Sequence, residues 1–223
     1  MPRPLPARIL ADTGGDAAAI RNHILDAAHR VVSSQGLAAA STRAIAVEAG
    51  LGAGTLYNYF DDRLQLLAQS ILRRATALAD TLADLPARAG LDTVAENLRR
   101  TAGQALTSLD ELVPIIAAAF SDPELLDAFR PEMARQQSSI DPARTVEQYL
   151  VAERDLGRVR ADADCRAAAS LLISLCHDVA FHRFLRGDTS TPRVPTAEVG
   201  VIASALTGQL PPTRPQPRKR NTT

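Results

Sequence analysis

The residues best equipped for chemistry are concentrated in one short stretch, Ser41–Leu67, which reads STRAIAVEAGLGAGTLYNYFDDRLQLL. Thr55, Tyr57, Asn58 and Tyr59 place a hydroxyl, two phenols and an amide almost side by side. Such groups hydrogen-bond phosphate oxygens and the edges of base pairs. A plainer alternative is that Tyr57 and Tyr59 complete a core while their hydroxyls reach water. The pattern around them favours a binding face. Ile45 and Ala49 on one short helix, Leu51 in a turn, and Leu56 and Phe60 on a second helix can form one small shared core. Ala46 and Ala49 permit close helix approach, and Gly50 suits the left-handed position that often follows a helix. Ala53, Thr55, Tyr57, Asn58 and Tyr59 are then left facing solvent.

No comparable constellation for catalysis is present. No glycine-rich phosphate loop follows a strand, and no His-Glu-x-x-His occurs. The four histidines, His23, His29, His177 and His182, are too dispersed to suggest a metal site. His177 and His182 stand five apart, an awkward spacing for two ligands on one helical face. Cys176 beside His177 shows no activating arrangement. The expectation is therefore a protein that is no enzyme and needs no metal or cofactor. Cys165 and Cys176 are eleven residues apart on one expected helix. That puts them about 16 Å apart along its axis, too far for a disulfide, so buried thiols are the simplest reading and redox sensing the alternative.

The elements that must position these residues are helical almost throughout. The 223 residues are 46% hydrophobic and only 4% aromatic, with abundant alanine and no tryptophan, a mixture that favours helices over strands. Ile20, Ile24, Ala27, Val31 and Val32 mark a first helix that stops at Gly36. Ser41 or Thr42 can cap a second helix running to Ala49, and a third begins near Ala53. A longer helix runs from Asp62 to before Pro86. Thr93 with Glu96 resembles a capping box, and Asp122-Pro123 and Asp141-Pro142 each open a further helix. Asp162 or Asp164 opens a long helix ending at Gly187, and a last helix spans about Pro195–Leu210. The fold class is all-α. Residues 1–15 read as a flexible arm, and 211–223, proline-rich and basic, as a disordered tail that could touch DNA phosphates. No apolar run is long enough to span a membrane, so a soluble, cytoplasmic protein is expected.

The stretch resembles the DNA-binding domain of the TetR family of bacterial repressors. The matching elements are Thr42, Ile45-Ala46, Ala49-Gly50, Gly54-Thr55-Leu56-Tyr57, Tyr59-Phe60, and Arg63 followed by Leu66 and Leu67. The resemblance implies a helix-turn-helix domain over 16–67 and a helical effector-binding and dimerisation domain over 68–210. It implies a homodimer on a palindromic double-stranded operator, released by a small-molecule effector. Thr42 and Arg43 would contact phosphate, while Ala53, Gly54 and Thr55 would enter the major groove, with Gly54 allowing close backbone approach. Tyr57, Asn58 and Tyr59 would add contacts, and Arg63 would hold a phosphate where relatives carry Lys. Gly52 stands in the turn where many relatives carry Ser.

The same resemblance places dimer contacts on the last two long helices, at Ala168, Leu171, Leu172, Leu175, Val179, Val199, Ile202, Ala203 and Leu206. Burial within the chain's own core is the alternative for these. Candidate effector contacts are Leu98, Leu112, Ile116, Phe120, Phe129, Met133, Tyr149, Cys176 and His177, a set that suits an apolar or aromatic compound. Leu72 and Leu78 on the fourth helix would transmit its binding. From Met1 to Arg63 six arginines face six acids. Affinity should then depend on hydrogen bonds more than on counterion release, giving a shallow salt dependence. The competing function class is a helical interaction protein that does not bind DNA.

Overall fold

A computed structural model describes residues 6, 9, 11, 13–136 and 141–208, apart from the side chains of Leu78 and Gln136. The expected tail, 211–223, lies outside the described residues, as does most of the expected arm. Among the described residues the chain forms nine α-helices and no strand. They are α1 (Ala17–Gln35), α2 (Thr42–Glu48), α3 (Ala53–Leu56), α4 (Arg63–Thr81) and α5 (Val94–Phe120), then α6 (Pro123–Gln136), α7 (Pro142–Asp155), α8 (Cys165–Leu185) and α9 (Thr196–Thr207).

Local side-chain chemistry fixes the helix starts. The free amide of Ala19 donates to Asp16 (2.8 Å), that of Ala44 to Ser41 (3.1 Å) and that of Gln65 to Asp62 (2.7 Å). Thr93, Asp122, Asp141 and Asp164 serve α5, α6, α7 and α8 in the same way. Each satisfies a backbone donor that the first helical turn leaves without a partner. The two open alternatives are thereby decided for Ser41 and Asp164. Thr93 caps α5, but Glu96 turns its carboxylate to Arg99 (2.9 Å), away from the reciprocal bond of a capping box.

Packing forms two apolar cores. The first joins α1, α2, α3, α4 and α6 to the distal end of α5 through Leu112, Ile115 and Ala119. The second joins the remainder of α5 to α7, α8 and α9. At 27 residues α5 is long enough to serve both, and it runs through Pro114 with the loss of one helical hydrogen bond. The boundary expected after residue 67 falls inside α4. Leu66, Leu67, Ala68, Ile71 and Leu72 all lie in the first core beside α1 and α2, so apolar packing is continuous across that point. Ile9, placed by its proline-rich surroundings in a flexible arm, is instead 5% exposed and part of the same core, and its carbonyl accepts from Thr13 at 2.6 Å.

Candidate nucleic-acid interface

The turn after α2 is built from backbone geometry. Gly50 adopts φ 67°, its amide donates to Val47 (3.0 Å) and the Leu51 amide reaches back to Ala46 (2.8 Å). This paired closure satisfies carbonyls at the end of α2 and redirects the chain. Leu51 enters the core beside Ile45, Ala46, Ala49, Leu56 and Phe60, all buried. The helix that follows is a single turn, continued by amides of Tyr59 and Phe60 donating to the Leu56 carbonyl. Gly, Thr, Tyr and Asn are weak helix formers, and packing of Leu56 and Phe60 holds the turn in their place.

This scaffold leaves Arg43, Gly52, Ala53, Gly54, Tyr57 and Asn58 exposed and Thr42, Thr55, Tyr59 and Arg63 half-buried. Tyr57 is 58% exposed and therefore takes no part in the core. Tyr59 packs partly against the first core, so the plainer alternative applies to that side chain in part. Arg63 differs most from expectation. Its Nε donates to the Ala40 carbonyl (2.8 Å) and its Nη2 to that of Leu37 (3.0 Å), fastening the start of α4 to the bend after α1. Two of its donors are thus occupied within the protein.

Charge is internally engaged across the head. Arg30 pairs with Glu48 (2.6 Å), and Arg21 donates to the Tyr59 carbonyl and to Gln69 while lying over the Phe60 ring, 4.4 Å from its centroid. His23 bonds the Ala49 carbonyl through Nε2 (2.9 Å), joining α1 to the end of α2. Arg43 stands exposed, and Val47, four residues on along α2 and 75% exposed, shares its face. The sequence reading missed Val47, although the spacing from Arg43 was the available signal. It also missed Arg21 and His23, whose partners lie 38 and 26 residues away and leave no local trace.

In the other half, α5 and α8 flank an apolar cleft of about 270 Å³ lined by Leu109, Val113, Ile116, Ala117, Phe120, His177 and Phe181. Of the expected effector contacts, Ile116, Phe120 and His177 meet there. The others do not line it. Leu98, Tyr149 and Cys176 are packed into the second core, Leu112 and Phe129 into the first, and Met133 lies half-buried against the first. Tyr149 is held by polar groups as well: Asn97 donates to its hydroxyl (3.0 Å), and burial together with neighbouring Glu153 holds its phenol above the ordinary range. Buried Glu153 accepts from the Gly90 amide (3.3 Å) and lies 3.2 Å from Arg158. Both cysteines are free and buried, and desolvation pushes the Cys176 thiol up to about 12. A thiol so disfavoured as thiolate is a poor redox sensor.

The expected dimer residues divide into two sets. Leu172, Val199, Ala203 and Leu206 are 0–3% exposed and Ala168 is 8% exposed, all within their own chain's second core. These five cannot form the outer surface of an interface. Leu171 is 61% exposed, and Leu175, Val179 and Ile202 are half-buried. Leu185 and Val201, 64% and 59% exposed, add to that outward apolar surface.

Two short helices meeting across a tight turn, with polar groups outward from the second, define a helix-turn-helix protein. Residues 24–69 match the family of bacterial regulatory proteins described as the tetR family. The chain is 29% identical over 173 residues to the HTH-type transcriptional regulator PksA of Bacillus subtilis, covering 74% of this chain and 78% of that one. Its fold resembles a TetR-family regulator from Mesorhizobium loti (TM-score 0.62, 20% identity, 84% of this chain and 93% of that one). It also resembles SmeT, the repressor of the Stenotrophomonas maltophilia multidrug efflux pump SmeDEF (TM-score 0.56, 22% identity, 92% and 98%). Residues 24–69 thus carry a domain of the tetR family of bacterial regulatory proteins, in a chain whose fold is similar to that of TetR-family regulators.

Proposed function

We propose that this regulator is a repressor that binds a palindromic operator as a homodimer and is released by a small apolar or aromatic effector. The observation that carries the reading is the face of Gly52, Ala53, Gly54, Tyr57 and Asn58, exposed on a head whose core residues are buried. Thr42, Arg43 and the remaining Arg63 donors would meet phosphate beside it, with Thr55 and Tyr59 contributing from half-buried positions. One short helix reads few base pairs, so two heads about one helical turn apart are needed for specificity. Leu171, Leu185 and Val201 with Leu175, Val179 and Ile202 supply the apolar surface for a two-fold contact between copies.

The cleft between α5 and α8 is the candidate effector site. Its 270 Å³ falls just below the usual range of ligand pockets, which begins at about 300 Å³. His177 uses Nδ1 on the Ile173 carbonyl (3.0 Å), which leaves Nε2 as the polar group a ligand would meet. SmeT, which shares the fold, is a repressor of a multidrug efflux pump, a role compatible with an apolar effector. Effector in this cleft would favour a spacing of the two heads that mismatches the operator, so ligand and DNA oppose each other reciprocally. Leu72, fully buried in α4, belongs to the first core, while the Leu78 side chain lies outside the described residues. Selection from a random-sequence duplex pool with the full-length protein tests the reading. Enrichment of a two-fold symmetric site is expected, and a pool left unenriched contradicts it.

A further inference from the structure

One polar connection runs from α6 through α4 and α1 into the turn that carries the reading face. Glu132 of α6 is 5% exposed, so its carboxylate needs partners. It receives Arg135 of its own helix (2.7 Å) and the side-chain amide of Gln69 on α4 (3.1 Å). The other end of that amide, Oε1, accepts from Nη2 of Arg21 on α1, and Nη1 of the same guanidinium donates to the Tyr59 carbonyl. The plane of Arg21 lies over Phe60, a core residue 3% exposed. Four segments are thereby tied in sequence: α6, α4, α1 and the chain directly after α3.

The direction of donation matters. An amide can serve a guanidinium and a carboxylate together in only one orientation, oxygen toward the former and nitrogen toward the latter. The forked guanidinium likewise fixes two acceptors in one plane. A shift of α6 that withdraws Glu132 therefore removes the partner that fixes the Gln69 amide. Freed from it, the amide no longer fixes Arg21 on the Tyr59 carbonyl.

We infer that Gln69 is the positioning residue that couples α6 to the pose of the reading face, acting through Arg21 on the Tyr59 carbonyl. The inference rests on the proposed DNA-reading role of that face. It assigns coupling to a directional polar chain, where apolar contact through Leu72 would not distinguish donor from acceptor.

That direction supplies the test. Gln69→Glu keeps an acceptor for Arg21 but sets a carboxylate against Glu132. Glu132→Gln restores a donor to the substituted side chain in the double variant. Affinity for a duplex selected by the wild-type protein is measured by fluorescence anisotropy, with sedimentation and thermal melting on the same samples. Q69E is expected to raise Kd about tenfold, in the range of ordinary coupling between sites. E132Q should stay within about twofold of wild type, and Q69E/E132Q should return to about that level, because a neutral amide there still accepts from Gln69 and can donate to a carboxylate. Wild-type affinity in Q69E, or a double variant as weak as Q69E, overturns the inference. Gln69→Met covers the case of a Q69E protein that does not fold: it removes both bonds without adding charge, should weaken binding alike, and should not be rescued by E132Q. Unchanged affinity in Q69M also overturns the inference. If the wild-type protein selects no duplex at all, the DNA-reading role fails first and the coupling falls with it.

Discussion

Gly54 separates what the fold needs from what the function needs. A β-carbon built there meets nothing within 4 Å, and its backbone is not among the left-handed glycines. The fold would therefore accept alanine, and helix propensity would favour it by about 1 kcal/mol. Gly54→Ala should leave urea stability unchanged or slightly raised while weakening selected-duplex affinity tenfold or more, since in the proposed reading the added methyl stands where DNA approaches. Unaltered affinity would show that nothing approaches Gly54. His29 offers a different test. Burial, and then nearby Arg74, lower its pKa below the ordinary imidazole value. The folded state prefers the neutral ring, so its contribution to stability is complete above about pH 6.5 and is lost as pH falls through the lowered value. Melting temperature should drop on acidification across that window, and less so in His29→Asn. Equal pH profiles for the two proteins would remove His29 from the account.

The helix starts were legible because a cap is local chemistry: Ser41, Thr93, Asp122, Asp141 and Asp164 each bond an amide three residues on. The turn at Gly50 was legible for the same reason. The faces of α8 and α9 were not. Apolar residues surround both helices, so spacing alone could not tell inward Leu172 and Val199 from outward Leu171 and Val201. That division predicts two different defects. Leu171→Glu should sediment as a monomer while the chain still folds and unfolds cooperatively, because it charges an exposed apolar surface. Leu172→Ala should instead destabilise the chain by about 2–5 kcal/mol, as for other buried leucines. A Leu171→Glu protein that remains dimeric would place the interface elsewhere.

At the scale of the whole molecule the distinctive property is neutrality. Twenty-five bases balance twenty-five acids, and Arg21, Arg30 and Arg63 of the head are engaged within the protein. The sequence showed the balance of charge, but not that these arginines were internally occupied, because their partners come from distant parts of the chain. Nor could it show that one continuous core carries the head into α5 and α6, since that depends on which helices meet. The proposed reading then rests mainly on shape and hydrogen bonds, with Arg43 an exposed cation among the described residues. The most direct test is the salt dependence of binding to the selected duplex. The slope of log affinity against log salt should be shallow, about −4 or less in magnitude for two heads. A slope of about −8 or steeper would mean many phosphates neutralised and would contradict a head that reads without a strong positive charge.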